Sequence, residues 1–490
     1  MQEVIQRRKE KWDQYCKVKG AVSSYHKSHQ TEQAKELADG TSGVRLAGRV
    51  MLLRKMGKLT FLQLQDATGI LQCSLNKQVL GEAEYQLLMD VLDVGDFLGL
   101  EGEIFTTQRG EKTLRAATCS LLNKALRPLP EKWHGLADPE LKLRLRYLDL
   151  LTNSKTRARF NIRHKFINAI RKYLLKEDFL EVETPILQLN AGGASAKPFA
   201  THHKALDIPL YLRIAPEIFL KTLLASGYER VFEIGKSFRN EGLDPSHMQE
   251  FTSVEYYAAY FDYRDNIKFI YRMLQEVVQA TLGCLQVSYG GKILDFSGKW
   301  PEVTFHELVQ QTTGLDLNIY TSYGTLAKAI SNSKKLELDA AQYASYPALV
   351  DALYKKYARP TLVQPTFITQ QPAALCPLAR RETDNPKVLE MFQLVVNGWE
   401  VVKAYSELVD PTVQRQLLLE QRKQSEAGDE EAMMYDEDFL QAMEYGLPIM
   451  SGLGLGIDRF VALITDTPSI RDVVYFPSIR PKEKKIPSLK

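Results

Sequence analysis

Cysteine is scarce and scattered in this 490-residue chain: five residues, Cys16, Cys73, Cys119, Cys284 and Cys376, and no CxxC pair. That spacing excludes a disulfide framework and a structural zinc site, and it fits a reducing, cytoplasmic setting. No run of about 18 apolar residues occurs, so there is no candidate transmembrane helix. The first residues, MQEVIQRRKEKWDQY, mix charges of both signs around no apolar core. They do not read as a secretory signal, and Glu3, Glu10 and Asp13 disfavour an organellar transit peptide. An excess of one charge is also missing, with 63 Lys and Arg against 60 Asp and Glu. A nucleic-acid partner would therefore be met by local basic patches rather than by a global field. Internal repeats are absent, and the glycine-rich stretch SGLGLGIDR lacks the G-x-G-x-x-G spacing and following acid of a dinucleotide fold.

What is present is enough apolar material, 44% of residues, to build a core without cross-links. The length suggests two to four domains at roughly 100–200 residues each. Residues 1–40 are charged and rich in helix formers, and read as a solvated helical arm; Arg7, Arg8, Lys9 and Lys11 could instead touch RNA phosphates. Residues 41–128 change character. Short β-prone runs broken by MGK, DATG and RGEK turns predict about five strands and a small barrel. An OB-fold is the natural candidate, since it binds single-stranded nucleic acid on one face. Residues 129–150 read as a Pro-punctuated linker running into a helix. From 151 to 490 one large domain of helices and strands is expected. It opens with a long helix near 154–177, carries a helical insertion at about 265–360 and ends in a basic tail, 480–490.

Three segments carry candidate chemistry. In VFEIGKSFRNEGLDPSHMQEFTSVEYYAAYFDY, residues 231–263, two strand-like stretches flank a polar loop. Arg239 and Glu241 end the first strand, His247 lies in the loop, and Glu255 and Tyr257 are two apart on the return, hence on one face. An arginine there suits a phosphate or carboxylate, although one such arginine taken alone is more often a structural ion pair. In residues 451–465, Gly452, Gly454 and Gly456 alternate before Arg459 opens a helix. In FLEVETPIL, residues 179–187, an acidic strand stops at Pro185.

In order and spacing these segments resemble the three signature motifs of class II aminoacyl-tRNA synthetases. Further stretches, among them RLRYLDL, GGASAKPFATHH, YLRIAPEIFLK, AYSEL and DEDFLQAMEYGLP, narrow the resemblance to the lysyl-tRNA synthetase family over nearly the whole chain. The resemblance implies an α+β protein: an N-terminal OB-fold that reads the anticodon, then a catalytic domain with a six-stranded antiparallel sheet flanked by helices. It implies a homodimer with segment 179–187 near the two-fold axis, and ATP, L-lysine and tRNA(Lys) as partners.

By resemblance, Arg239 and Arg459 are the catalytic arginines. Glu241, His247, Phe251, Glu400 and Gly456 join them around ATP. Gly193, Glu217, Arg239, Glu255, Tyr257, Lys403, Tyr405 and Glu407 surround lysine, and Arg49, Phe61, Gln72 and Glu111 meet the anticodon. Phe61 would stack on a base, or else belong to the barrel core. Mg²⁺ is expected on Glu400. The family's second metal carboxylate aligns with Gln393, which lacks the charge, and its carboxylate-binding Asn aligns with Lys403. Either the Lys403 ammonium stands in for one magnesium ion, or the two changes point away from the ligands. A paralogue that lysylates another acceptor, and a silent RNA-binding relative, are the competing readings.

Overall fold

The computed structural model describes residues 1–130, 136, 138–242, 244–333, 335–343, 345–426 and 432–481. Two compact units divide the chain, Met1–Ala137 and Asp138–Lys490.

The first unit is built on five strands, Val44–Met56, Leu59–Gln65, Ile70–Asn76, Phe97–Thr106 and Lys112–Asn123, closed into a barrel. Alternation decides which side chains go inside. Leu62, Leu64, Leu71, Cys73 and Leu75 are buried in the barrel, while Phe61, Gln63, Gln65 and Gln72 between them face outward and are half-buried. Gly57, at φ 64°, opens the two-residue turn that pairs Met56 with Leu59, a conformation that favours glycine.

The N-terminal helix Gln2–Lys19 is not the solvated arm expected from its charge. Tyr15 is buried, and its hydroxyl accepts the Leu121 N–H at 3.0 Å. Arg8 donates to the Val94 and Ala125 carbonyls, and Lys11 pairs with Asp93 at 2.8 Å. Two of the four side chains considered for RNA are thus tied to protein, because an aromatic on one helix face outweighs a polar composition. Arg7 and Lys9 remain exposed.

The second unit is organised by an eight-stranded sheet in the order Glu302–Thr304, Thr366–Thr369, Met391–Val396, Trp399–Ser406, Met450–Gly456, Glu250–Ala259, Arg230–Phe238, Leu180–Glu181. The six central strands are antiparallel, and a short parallel strand extends each edge. Helices Ser154–Lys176, Tyr263–Leu282 and Ile457–Ile464 cover one face. Val254, Tyr256, Leu453, Leu455, Val402 and Ala404 bury against them in the main core. The intervening residues of the same strands point to the opposite face, where the site lies.

Within the expected insertion, helix Tyr263–Leu282 belongs to this main core through Phe269, Ile270, Met273 and Val277. The separate helical cluster starts only at Phe305, with Leu326, Ile330, Leu349 and Leu353 at its centre. The acidic strand foreseen at 179–187 is cut to two residues, pairing Leu180 with Val231 and Glu181 with Phe232. Beyond it the backbone is held by side chains, with Thr184 N–H and Oγ1 on the Glu233 carboxylate at 3.1 and 2.6 Å. Of the expected linker, residues 131–135 and 137 lie outside the described residues, and 139–152 form the short helices Pro139–Arg144 and Arg146–Thr152. Residues 482–490 of the basic tail also lie outside them.

Candidate active site

Strand register places the polar residues in rows across the sheet. One row runs Gln393, Lys403, Gly454, Glu255, Glu233, and the next runs Met391, Tyr405, Gly452, Tyr257, Val231. The glycines leave the floor open beneath a cavity of about 310 Å³, a size suited to a small ligand. Gly452 has no alternative: a Cβ there would stand 2.1 Å from Tyr257 Cε1 and 2.5 Å from Glu407 Oε1. Every residue assigned above to ATP or lysine lines this cavity except Glu407.

One end is acidic. Glu217 is the first residue of helix Glu217–Ala225, where a carboxylate also meets the positive end of the helix dipole. Its Oε1 accepts from the Tyr405 hydroxyl at 2.7 Å and from Lys221 Nζ at 2.5 Å. Burial holds the Tyr405 and Tyr257 hydroxyls well above the usual tyrosine range, so both keep their protons. Glu255 has no ion pair or hydrogen bond to its carboxylate among the described residues. Burial first, then the nearby Glu217 charge, pushes it up to about 8. At the far end of the row Glu233 is already satisfied by Arg213 at 2.5 Å and by Thr184.

The other end is basic. Arg239 follows strand Arg230–Phe238; its guanidinium lies 5.1 Å from the Phe251 ring centre, and its buried Nε has no hydrogen-bond partner. Arg459, at the start of helix Ile457–Ile464, donates to the carbonyls of Ser246 and Glu400. Its Nη2 faces His247 Nε2 at 2.8 Å, and His247 Nδ1 faces Asp244 Oδ2 at 2.6 Å. Burial raises Asp244, but hydrogen bonds from Ser246 and His247 outweigh it and keep the carboxylate below its ordinary range. Asp244 therefore holds the imidazole against the Arg459 guanidinium. Lys403 lines the cavity between the two ends with no ion pair among the described residues. The Cys376 sulfur, then Glu400 and Glu217, hold its ammonium above the ordinary lysine range against burial.

Two assigned residues are elsewhere. Glu407 is buried behind the cavity wall with Oε2 against the Lys221 ammonium; its Oε1 makes no hydrogen bond of ordinary geometry and lies against Gly452. Gln393 does not line the cavity, because its amide oxygen turns to the Tyr354 hydroxyl at 3.0 Å. Sequence reasoning passed over Lys221 and Asp244. The one signal for Lys221 was its position four residues after Glu217, on the same helix face.

On the barrel, Gln72 stands opposite Gln63, two residues from Phe61, and Arg49 opposite Gln65. Phe61 is thus on the outer face and not in the core. Arg49 lies 4.2 Å over Phe97 and donates to Gly95 O at 3.0 Å; Gln72 donates to Thr113 Oγ1 at 2.8 Å. Glu111 is exposed in the turn before strand Lys112–Asn123.

The chain matches known families along most of its length. Residues 138–480 match the family of "tRNA synthetases class II (D, K and N)", and residues 44–122 match the "OB-fold nucleic acid binding domain". The chain is a class II aminoacyl-tRNA synthetase. It is 46% identical to the lysine–tRNA ligase of Aquifex aeolicus (strain VF5), over 90% of this chain and 74% of the relative. It is also 46% identical to that of Synechococcus sp. (strain CC9311), over 90% and 89%, and 40% identical to that of Carboxydothermus hydrogenoformans over 99% of each. Within the class, the chain belongs to the lysine–tRNA ligase family.

Proposed function

We propose that the chain activates L-lysine with ATP to lysyl-adenylate and transfers the lysyl group to the 3′-end of tRNA(Lys). The observation that carries this reading is the single cavity joining the carboxylates Glu217 and Glu255 to Arg239, His247 and Arg459. Burying several carboxylates with no cation is unfavourable, so the acidic end selects a cationic side chain. A substrate without the amine leaves those acids unpaired and is rejected.

In the first step the lysine carboxylate attacks the α-phosphate and pyrophosphate leaves. The attacking group is already ionised, so no protein nucleophile or base is needed, and catalysis is positioning plus charge stabilisation. Arg239, with its unsatisfied Nε, bridges the α-phosphate and the substrate carboxylate. Phe251 stacks adenine, Glu241 holds it by its edge, and Gly456 lets it approach the strand. Arg459 and His247 meet the outer phosphates. Lys403 adds a positive charge beside the substrate carboxylate. In the second step a hydroxyl of the tRNA's terminal ribose attacks the adenylate carbonyl and AMP leaves.

Glu400, on the cavity wall, fits a magnesium ion carried in with the ATP phosphates, and such an ion would neutralise the departing pyrophosphate. A second ion between residues 393 and 400 does not fit. Gln393 faces Tyr354, and its strand neighbour is the Lys403 cation. The outer barrel face with Arg49, Phe61, Gln72 and Glu111 reads the anticodon. A homodimer accords with the exposed apolar run Leu180, Ile186, Leu187 and Leu189, and the reaction belongs in the cytoplasm, beside translation. Among the described residues no helix is long and apolar enough to cross a membrane.

Lysine-dependent exchange of pyrophosphate into ATP, against a panel of other amino acids, tests the first step, and charging of transcribed tRNA(Lys) tests the second. Exchange without lysine preference would overturn the substrate; exchange without charging would overturn the acceptor.

A further inference from the structure

Lys221 is one of the largest fully buried side chains, at 1% exposure, and it does not line the cavity. Its ammonium sits between Glu217 Oε1, at 2.5 Å, and Glu407 Oε2. The rings of Tyr405 and Tyr257 flank it, their centres 5.6 and 5.9 Å away. A cation is therefore already installed behind the acidic end of the site. A buried ion pair of this kind is a poor way to gain stability, because apolar groups of the same volume usually do as well or better. Its location offers another role. Glu217, Glu255 and Glu407 carry three negative charges when ionised, and Lys221 balances one. Free lysine brings two ammonium groups, which balance the other two.

We propose that Lys221 is a positioning residue for lysine recognition, an internal counter-ion that pairs with the Glu217 and Glu407 carboxylates and aims them, so that the pocket is completed by a doubly cationic amino acid. This inference rests on the proposed lysine activation. The geometry explains how the load is divided. Lys221 takes Glu407 Oε2 and leaves Oε1, buried and without a hydrogen bond of ordinary geometry, beside the open backbone of Gly452. It shares Glu217 Oε1 with the Tyr405 hydroxyl, which leaves the Oε2 side of that carboxylate for the substrate. Burial holds the Glu407 carboxyl up to about 8 and the Lys221 ammonium works against that rise, so without the resident cation the two adjacent carboxylates repel and hold a proton more tightly. The pocket then presents a neutral acid to a positive ligand.

The test compares wild type with K221M and K221A in lysine-dependent pyrophosphate exchange. The KM for lysine should rise roughly 100-fold in K221M, as expected for disrupting a buried charge network, with the KM for ATP unchanged. Calorimetry in buffers of different ionisation heat should show more protons released per lysine bound by K221M than by wild type. Ethylammonium, which can occupy the vacated space in K221A, should restore lysine-dependent exchange, and ethanol at the same concentration should not. Unchanged lysine KM in K221M overturns the inference. So does a loss of thermal stability that raises both KM values together, or variants that stay insoluble with no recovery by ethylammonium, since either makes Lys221 a folding residue. A wild-type chain that shows no lysine-dependent exchange refutes the proposed activity itself, a separate outcome.

Discussion

Glu255 should make lysine use depend on pH in a range where the lysine side chain itself does not titrate. Its carboxyl is pushed from 4.5 to about 8 by burial and by Glu217. At about 1.36 kcal/mol per unit, the ionised form is disfavoured in the empty site by about 5 kcal/mol. The sign follows from proton linkage. The folded state holds this proton more tightly than the unfolded chain, so as pH rises from the unfolded value through about 8 the ligand-free protein loses stability. Lysine binding acts in the opposite direction, because its ammonium favours the carboxylate and expels the proton. Below the raised value, kcat/KM for lysine should therefore climb about tenfold per pH unit and flatten above it. E255Q removes one of two buried carboxyls held up to about 8, the other being Glu407, so its profile should rise less steeply than that of wild type. At alkaline pH it should fall below wild type by roughly 10- to 150-fold, the worth of one charged hydrogen bond. The assay is pyrophosphate exchange at limiting lysine from about pH 6 to about pH 8.5, with melting of the ligand-free protein alongside. A wild-type profile without a rise, or an E255Q profile that keeps the same rise, would refute the reasoning.

Gly452→Ala should lower lysine use by roughly 100-fold or more while leaving the fold melting as one unit, because its Cβ would collide with Tyr257 and Glu407; normal exchange kinetics would contradict the placement of those side chains. Titrating exchange with Mg²⁺ in wild type and in K403N combined with Q393E should show the variant gaining a steeper magnesium dependence, and identical curves would mean that Lys403 does not act in place of an ion. Phe61→Ala should weaken binding of tRNA(Lys), and of its anticodon stem-loop, by about 1–3 kcal/mol without altering pyrophosphate exchange; an equal loss in both assays would remove Phe61 from the anticodon face.

Much of the site can be read in the sequence because its chemistry resides in short segments. The run from Val231 to Tyr263 carries the basic end at Arg239 and His247 and the acidic end at Glu255, and strand alternation alone puts Glu255 and Tyr257 on one face. The barrel is legible for the same reason, since alternating burial and turn residues act over a few positions. The N-terminal helix was recognisable as a helix, but its docking was not, because one buried tyrosine at Tyr15 decides it and composition does not reveal that.

Amino-acid order sets the residue types and their local faces: arginines at strand and helix ends, glutamates at alternate positions, glycines where the floor must stay open. Their partners come from packing across the sheet. The row Gln393, Lys403, Gly454, Glu255 crosses four strands far apart in the chain, and nothing local sets that register. It is the register that sets Lys403 opposite Gln393, while Gln393's oxygen goes to Tyr354. Packing likewise decided that Glu407 lies behind the wall on Lys221 while Glu255 has no ion pair among the described residues. Charge in a buried pocket is a property of the whole neighbourhood, so which acid receives the substrate is settled only when distant segments meet.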